Sequence, residues 1–240
     1  MQILDQAPIF KAWYEYVTNG IIREDLLRPQ IIASWKRSPK LSYNRLKSFD
    51  KISSDILTKL QKENTAFMDA AMAVISYIVT VSPDCIVMLC DKEGNSIKSF
   101  HRYKHQISID TCYAEEIVGC NAAGLALIEN QPAFVSGFEH LIVNWHSVTS
   151  AAVPIKGPNG SILGILDIAY PFNKKPIFSM ESLKAAASII EDSLVDQKRD
   201  NIESSRHFET FINGMRNPVI IVNNEGITTN INDKLLKSLG

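Results

Sequence analysis

The chain has 240 residues, 45% hydrophobic and 21% charged, which is the balance of an ordinary globular protein with room for one sizeable domain and a smaller companion. Its net charge is -1 and its pI is near 6.5. Sequence-independent binding to nucleic acid needs concentrated Lys and Arg, so direct nucleic-acid contact by this stretch is not expected.

In chain order, the first element is a helix over residues 9–17, stopped at Asn19-Gly20. Arg28-Pro29 marks a boundary, because proline suits the first helical turn and disfavours helix before it. Residues 30–37 then carry Ile31, Ile32 and Trp35 on one side, and residues 38–48 read as a polar loop. Ser53, Ser54 and Asp55 offer caps for one long helix, along which Leu60, Phe67, Ala71, Val74 and Ile78 form an apolar stripe. Its most apolar part, residues 70–81, falls short of the roughly 20 residues that span a bilayer. No membrane segment is expected.

From residue 85 the pattern changes to strands. Residues 85–90 and 96–103 flank a turn at 91–95. Short helices are expected over 113–118 and 122–129, and a short strand over 132–137. Val148–Lys156 and residues 161–170 form two strands joined at Asn159-Gly160, a dipeptide suited to a tight hairpin. Residues 162–168 are apolar on both faces, so both faces should be covered. Gly164 there suggests a close approach of other atoms, and Pro154 in the partner strand an edge or a bulge. Ser179 caps a helix reaching at least residue 198, with Leu183, Ala187, Ile190 and Leu194 in a seam and a polar continuation to residue 205 as a connector. A helix (207–215), a strand (218–222), a turn, a second strand and a helix opening at Asn232 complete the chain. Some 34 residues cannot bury a core of their own, so this tail is expected to be the opening of a further domain.

No phosphate-binding loop, dinucleotide fingerprint, zinc-protease motif or serine-nucleophile elbow occurs. Cys85, Cys90, Cys112 and Cys120 lack C-x-x-C spacing and read as small buried hydrophobes of a reducing, cytoplasmic protein, in keeping with the lack of a secretory leader. The densest polar set in an apolar region is Gly119–Asn121 with Glu139, His140, Trp145, His146 and Thr149. For Glu139, His140 and His146 three readings stand: metal ligands, the polar rim of a small-molecule pocket, or helix and loop caps. Adjacent Glu139 and His140 point apart on most backbones, which disfavours the first. His101, Arg102, Tyr103, Lys104 and His105 form a basic cluster read as a solvated loop.

The run Glu116-Ile117-Val118-Gly119-Cys120-Asn121-Ala122-Ala123-Gly124-Leu125-Ala126-Leu127 resembles the E-x-x-V/I-G-T-N-A-I-G-T-A-L segment of the GAF domains that begin acetoin- and dihydroxyacetone/glycerol-responsive activators of sigma-54-dependent transcription. Pro132, Val135, Gly137 and Glu139-His140 are similar to that family's P-V-x-V-x-G-x-E-H. His146 and Thr149 fall where it has H-x-W-T-C, Pro154-Ile155 where it has A-P-I, and Gly160, Leu163-Gly164 and Leu166-Asp167 where it has G-x-x-L-G-x-L-D. Arg28-Pro29, Ile32 and residues 34–38 resemble R-P-x-I-x-x-S-W-x-R-S, and the tail from Phe208, with Pro218–Val222, Glu225-Gly226, Asn230 and Asn232, resembles the start of a PAS domain. The departures lie where a pocket is expected: Cys120 for Thr, Leu125 for Thr, and Val148-Thr149-Ser150 for W-T-C.

The resemblance implies an α+β fold, a GAF-like antiparallel sheet flanked by helices. It divides the chain into an N-terminal helical segment (1–50), a sensory domain (51–200) and a linker helix with the start of a PAS domain (201–240). It implies a signal-input module without catalytic residues, metal or cofactor, whose effector is held by Cys120, Asn121, Glu139, His140, Trp145, His146 and Thr149. A central ATPase and a DNA-binding module would lie outside this sequence. A platform for a metabolic enzyme subunit is the alternative, and a thiol redox enzyme using Cys85, Cys90 or Cys120 a third. A homodimer is expected, because the stripe on Leu60–Ile78 and the seam on Leu183–Leu194 otherwise leave apolar faces uncovered.

Overall fold

The computed structural model describes residues 5–38, 50–101, 111–174, 176–195, 201–223 and 225–239. Most of the polar loop 38–48, residues 102–105 of the basic cluster, and residues 196–200 of the connector lie outside these.

Helix α1 (Gln6–Asn19) starts where the Asp5 carboxylate accepts the Ala7 N–H and stops at Gly20, whose φ of 72° is the left-handed conformation of a helix end. Helix α2 (Pro29–Arg37) begins on Pro29 and buries Ile31, Ser34 and Trp35, while Ile32 is only partly covered. The long helix expected next is two: α3 (Ser54–Glu63) and α4 (Thr65–Val81), meeting at 87°. Asn64 breaks the run, its side chain donating back to the Leu60 carbonyl. No single helix among the described residues is long and apolar enough to cross a membrane.

A five-stranded antiparallel sheet follows, ordered β2-β1-β5-β4-β3, from β1 (Ile86–Asp91), β2 (Ser96–His101), β3 (Ala133–Ser136), β4 (Val148–Lys156) and β5 (Ile162–Pro171). The β1–β2 turn is tied by Asp91, whose carboxylate accepts the N–H groups of Glu93 and Asn95. Pro154 lies beyond the last β3–β4 pair, Ala133 with Ala152, so its missing N–H interrupts no ladder on that side. A Cβ on Gly164 would stand 2.2 Å from the Cys90 carbonyl oxygen and 2.4 Å from the Phe67 ring, which is the close approach expected of it.

Between β2 and β4 run one-turn α5 (Glu115–Val118), α6 (Ala122–Glu129) and two 3-10 turns, Gly137–Glu139 and Val143–Trp145. After β5 come α7 (Met180–Leu194), α8 (Asn201–Asn213), a hairpin of β6 (Ile220–Val222) and β7 (Thr228–Ile231), and α9 (Asp233–Leu239). Helix α8 ends two residues before the expected Met215, which instead bridges to Phe178.

Alternation along the strands divides the core in two. Ile86, Met88, Cys90, Ala152, Ile165 and Ala169 face α1, α2 and α6. Val87, Leu89, Val153, Ile155, Leu166 and Ile168 face a cluster that includes Phe67, Ile78, Leu183, Phe178 and Phe211. This second cluster corrects one expectation. Phe67, Ala71, Val74, Ile78, Leu183, Ala187 and Ile190 are buried within the chain itself, so neither stripe needs a second copy to cover it.

Candidate functional site

The site grows from the first face. In the middle of the sheet Asp167 lies between Met88 of β1 and Ala152 of β4, with Ser150 and Ala169 paired alongside. Above them stand Tyr113, Asn121, His140 and Trp145, supplied by the segments between β2 and β4. Together with Ile86 and Val148 these groups enclose a cavity of about 20 Å³, room for one or two waters.

The roof is held by side chains that cap and lock. Asn121 caps α6 through Oδ1, which accepts the Gly124 N–H at 2.8 Å, while its amide donates to the Tyr113 and Gly119 carbonyls. Gly119 turns the chain at φ 71°, and a Cβ there would meet Leu141 at 2.5 Å. His140 is fully buried, and burial lowers its pKa to about 3. Its Nδ1 is 3.0 Å from the Gly137 carbonyl, which can only accept, so Nδ1 carries the proton and Nε2 accepts from the Ser150 hydroxyl at 3.1 Å. Tyr113 and Trp145 stack at 5.4 Å.

Helix α2 fastens this roof from outside. Arg28 grips the buried Glu139 carboxylate with two bonds of 2.7 Å and reaches the Phe134 carbonyl. Glu139 also accepts the Ser136 N–H, and the Trp35 indole donates to the Glu139 carbonyl. At the other end of α2, Arg37 and Ser34 hold the buried Glu115 carboxylate. Helix α1 adds the Trp13 indole on the Leu141 carbonyl.

Of the seven residues expected to bind an effector, the structure brings Asn121, His140 and Trp145 to the cavity and places Cys120, Glu139, His146 and Thr149 off its lining. Glu139 is the partner of Arg28. His146, its pKa lowered by burial to about 4, donates Nε2–H to the His140 carbonyl and packs edge-on to Trp13. Thr149 exchanges a hydrogen bond with Ser136. Glu139, His140 and His146 are thus engaged in three different directions, and among the described residues no three His, Cys, Asp or Glu side chains converge as a metal site. Glu139 completes a capping box with Ser136 and His146 fixes the loop at the His140 carbonyl, while His140 lines the cavity.

Sequence reasoning missed Asp167, Ser150 and Tyr113. Asp167 was the legible one: a carboxyl inside a strand otherwise apolar on both faces. Its Oδ1 is buried with no hydrogen-bond partner, and burial raises its pKa to about 8, only partly offset by the Ile168 backbone N–H. The thiols offer no activated nucleophile. All four are free, and burial pushes Cys85 up to about 11 and raises Cys90, Cys112 and Cys120 as well.

The fold is α+β, one five-stranded antiparallel sheet with a packed core on each face and a small cavity on one of them. A family profile described as MimR, N-terminal domain matches residues 7–192, and the chain belongs to that family. It is 29% identical over 199 residues to the propane 2-monooxygenase operon transcriptional activator MimR of Mycolicibacterium goodii, covering 77% of this chain and 33% of that protein. To the acetoin dehydrogenase operon transcriptional activator AcoR of Bacillus subtilis it is 26% identical over 172 residues, 67% of this chain and 28% of that one. The chain thus spans about a third of the length of these curated relatives. Among solved structures, the E. coli DhaR(N)–DhaL complex matches with a TM-score of 0.61 at 19% identity, over 88% of this chain and 77% of that one. The chain therefore corresponds to the N-terminal region of proteins such as AcoR and MimR.

Proposed function

We propose that this region is the signal input of a sigma-54-dependent activator and that a small-molecule effector enters the cavity beneath the α2-fastened roof. The observation that carries this is the Asp167 carboxyl oxygen, buried beside a cavity without a partner. A ligand hydroxyl or carbonyl placed in the cavity would give that oxygen a direct hydrogen bond, worth about 0.5–1.5 kcal/mol net. The cavity takes only one or two waters, so an organic effector must lift Trp145 and Tyr113. That displacement would reach the segments that Arg28 and Arg37 hold, and so make the two states differ in affinity, as allostery requires. On this reading residues 7–192 act as one input unit in a cytoplasmic homodimer, the tail opens a PAS domain, and the ATPase and DNA-binding modules belong to a longer protein.

Calorimetry with a panel of small diols, ketones and hydroxyketones tests it. Saturable heat from a member is expected; silence from the whole panel counts against it. Asn121→Ala is an unsuitable control, because it removes the α6 cap.

A second reading, a platform for a metabolic enzyme subunit, draws on two observations: the roof nearly fills the cavity, and a similar fold occurs in the DhaR(N)–DhaL complex. Co-purification of one enzyme subunit from the native host, with no heat from the panel, would favour it.

A further inference from the structure

We propose that the groove between α7 and the outer end of β4 binds a small hydroxy acid with one carboxylate. It shares no lining residue with the cavity under the roof, so it is a site of its own.

Strand lengths open the groove. β3 stops at Ala133, opposite Ala152, while β4 runs on to Lys156. The chain before β3 turns aside at Asn130, whose φ of 49° is left-handed. That leaves a groove of about 260 Å³ between β4, residues 130–132 and a row of side chains on α7. An added strand fits this edge poorly, because Pro154 has no N–H and the Lys156 N–H is spent on Glu191 Oε1 at 2.7 Å. The space equals that of about eight waters, and it suits a small molecule.

Charge selects the occupant. Lys156 on β4 and Lys184 on α7 bring one ammonium from each wall, and among the described residues neither makes a salt bridge. Glu191 is the single acidic group on the lining; it feels Lys156 at a distance, and its Oε1 is already committed. Two ammonium groups against one carboxylate leave the groove one positive charge in excess. A monocarboxylate neutralises that excess, whereas a dianion sets a further negative charge against Glu191 and an ammonium ligand meets two like charges. The Ser188 hydroxyl and the Gln131 carboxamide carry no hydrogen bond to the described residues, so both are open to a ligand hydroxyl. Val153, Pro154 and Ala187 give the carbon skeleton an apolar floor. A bound acid bridges the two lysines and ties α7, the helix that leads to α8, to the edge of the sheet.

The test titrates the whole chain with 3-hydroxybutyrate, butyrate, butane-1,3-diol and succinate at constant ionic strength. It reads the backbone amide at position 156, which is bonded to Glu191. Saturable shifts are expected with 3-hydroxybutyrate, weaker ones with butyrate and succinate, and none with the diol. Lys156→Gln and Lys184→Gln should each weaken 3-hydroxybutyrate about two- to fivefold, the worth of one partly exposed ion pair. Glu191→Gln keeps an oxygen for the Lys156 N–H and removes the negative charge, so succinate should then bind more tightly than 3-hydroxybutyrate. That reversal is a gain of binding, which a misfolded variant cannot imitate. Butyrate or the diol binding as tightly as the hydroxy acid, succinate preferred by wild type, or affinities untouched by both lysine substitutions overturns the proposal. Shifts that rise linearly without saturating mark a diffuse charge effect and overturn it too.

Discussion

The two faces of the sheet are built on different principles. The face toward α4, α7 and α8 is the drier one: Phe67, Ile78, Leu183 and Ile190 pack against Leu166 and Ile168, Phe178 stacks on Phe211 at 5.6 Å, and buried polar groups are few, Ser182 and the Tyr170 hydroxyl among them. The face toward α1 and α2 carries buried polar side chains in number, among them Glu115, Glu139, Asn121, His140, Ser150 and Asp167. Apolar burial stabilises without direction, at about 25 cal/mol per Å². Buried polar groups return little net stability and cost much when unmatched. On the proposed function, the face that gathers them around a cavity serves recognition and the other stability.

The largest effect that sharpens this contrast belongs to the drier face. Phe178→Ala removes a fully buried ring and should cost about 3–5 kcal/mol in urea unfolding, with no change in which members of the small-molecule panel bind. On the polar face, Arg28→Ala strands the Glu139 carboxylate and should cost about 3 kcal/mol. Adding Glu139→Gln should restore much of the loss, and a double mutant as unstable as the single would show that the arginine acts through packing alone. Asn121→Ala should cost about 1–2 kcal/mol through the lost cap of α6, seen as faster amide exchange at the start of that helix.

The pH dependence of stability separates the faces further. His140 and His146, lowered from 6.5 to about 3 and about 4, remain neutral in the fold while the unfolded chain takes up protons, so stability rises with pH up to about 6.5. Asp167, raised from 3.8 to about 8, holds a proton that the unfolded chain releases, so its contribution falls from about pH 4 to about 8. Two rising terms against one falling term below 6.5, and one falling term above it, put the maximum near pH 6.5. Asp167→Asn should flatten the alkaline side of a melting-temperature profile, and an unchanged profile would count against a protonated Asp167.

Much of the fold was legible. The strands, the Asn159-Gly160 hairpin and the caps at Ser53 and Ser179 depend on local residue types, and the order of motifs carried the family, whereas the cap at Asn121 was read as part of a binding site. The break at Asn64 was hidden because Leu60 and Phe67 keep helical spacing across it, with no Pro or Gly to mark the bend. Half of the site was hidden for the opposite reason. Arg28 and Glu139 stand 111 residues apart, and no local pattern signals that a helix before the sheet will fasten a loop beyond it. Adjacency did show that Glu139 and His140 diverge, one to Arg28 and the other to the cavity. Asp167 was passed over because its strand was read by its apolar average rather than by its single carboxyl. The helical seams were attributed to a second copy because a sequence shows that a face is apolar, and not which part of its own chain will cover it.

The most direct test of the central claim is the melting temperature of Asp167→Leu with and without a saturating probe from the small-molecule panel. A buried carboxyl among apolar walls stabilises the fold less than a leucine in its place, so the account predicts that the leucine variant melts higher than wild type, by roughly 2–4 °C for each kcal/mol regained, and that the probe no longer raises it. A variant that melts lower, or that the probe still stabilises as it does wild type, would contradict the account.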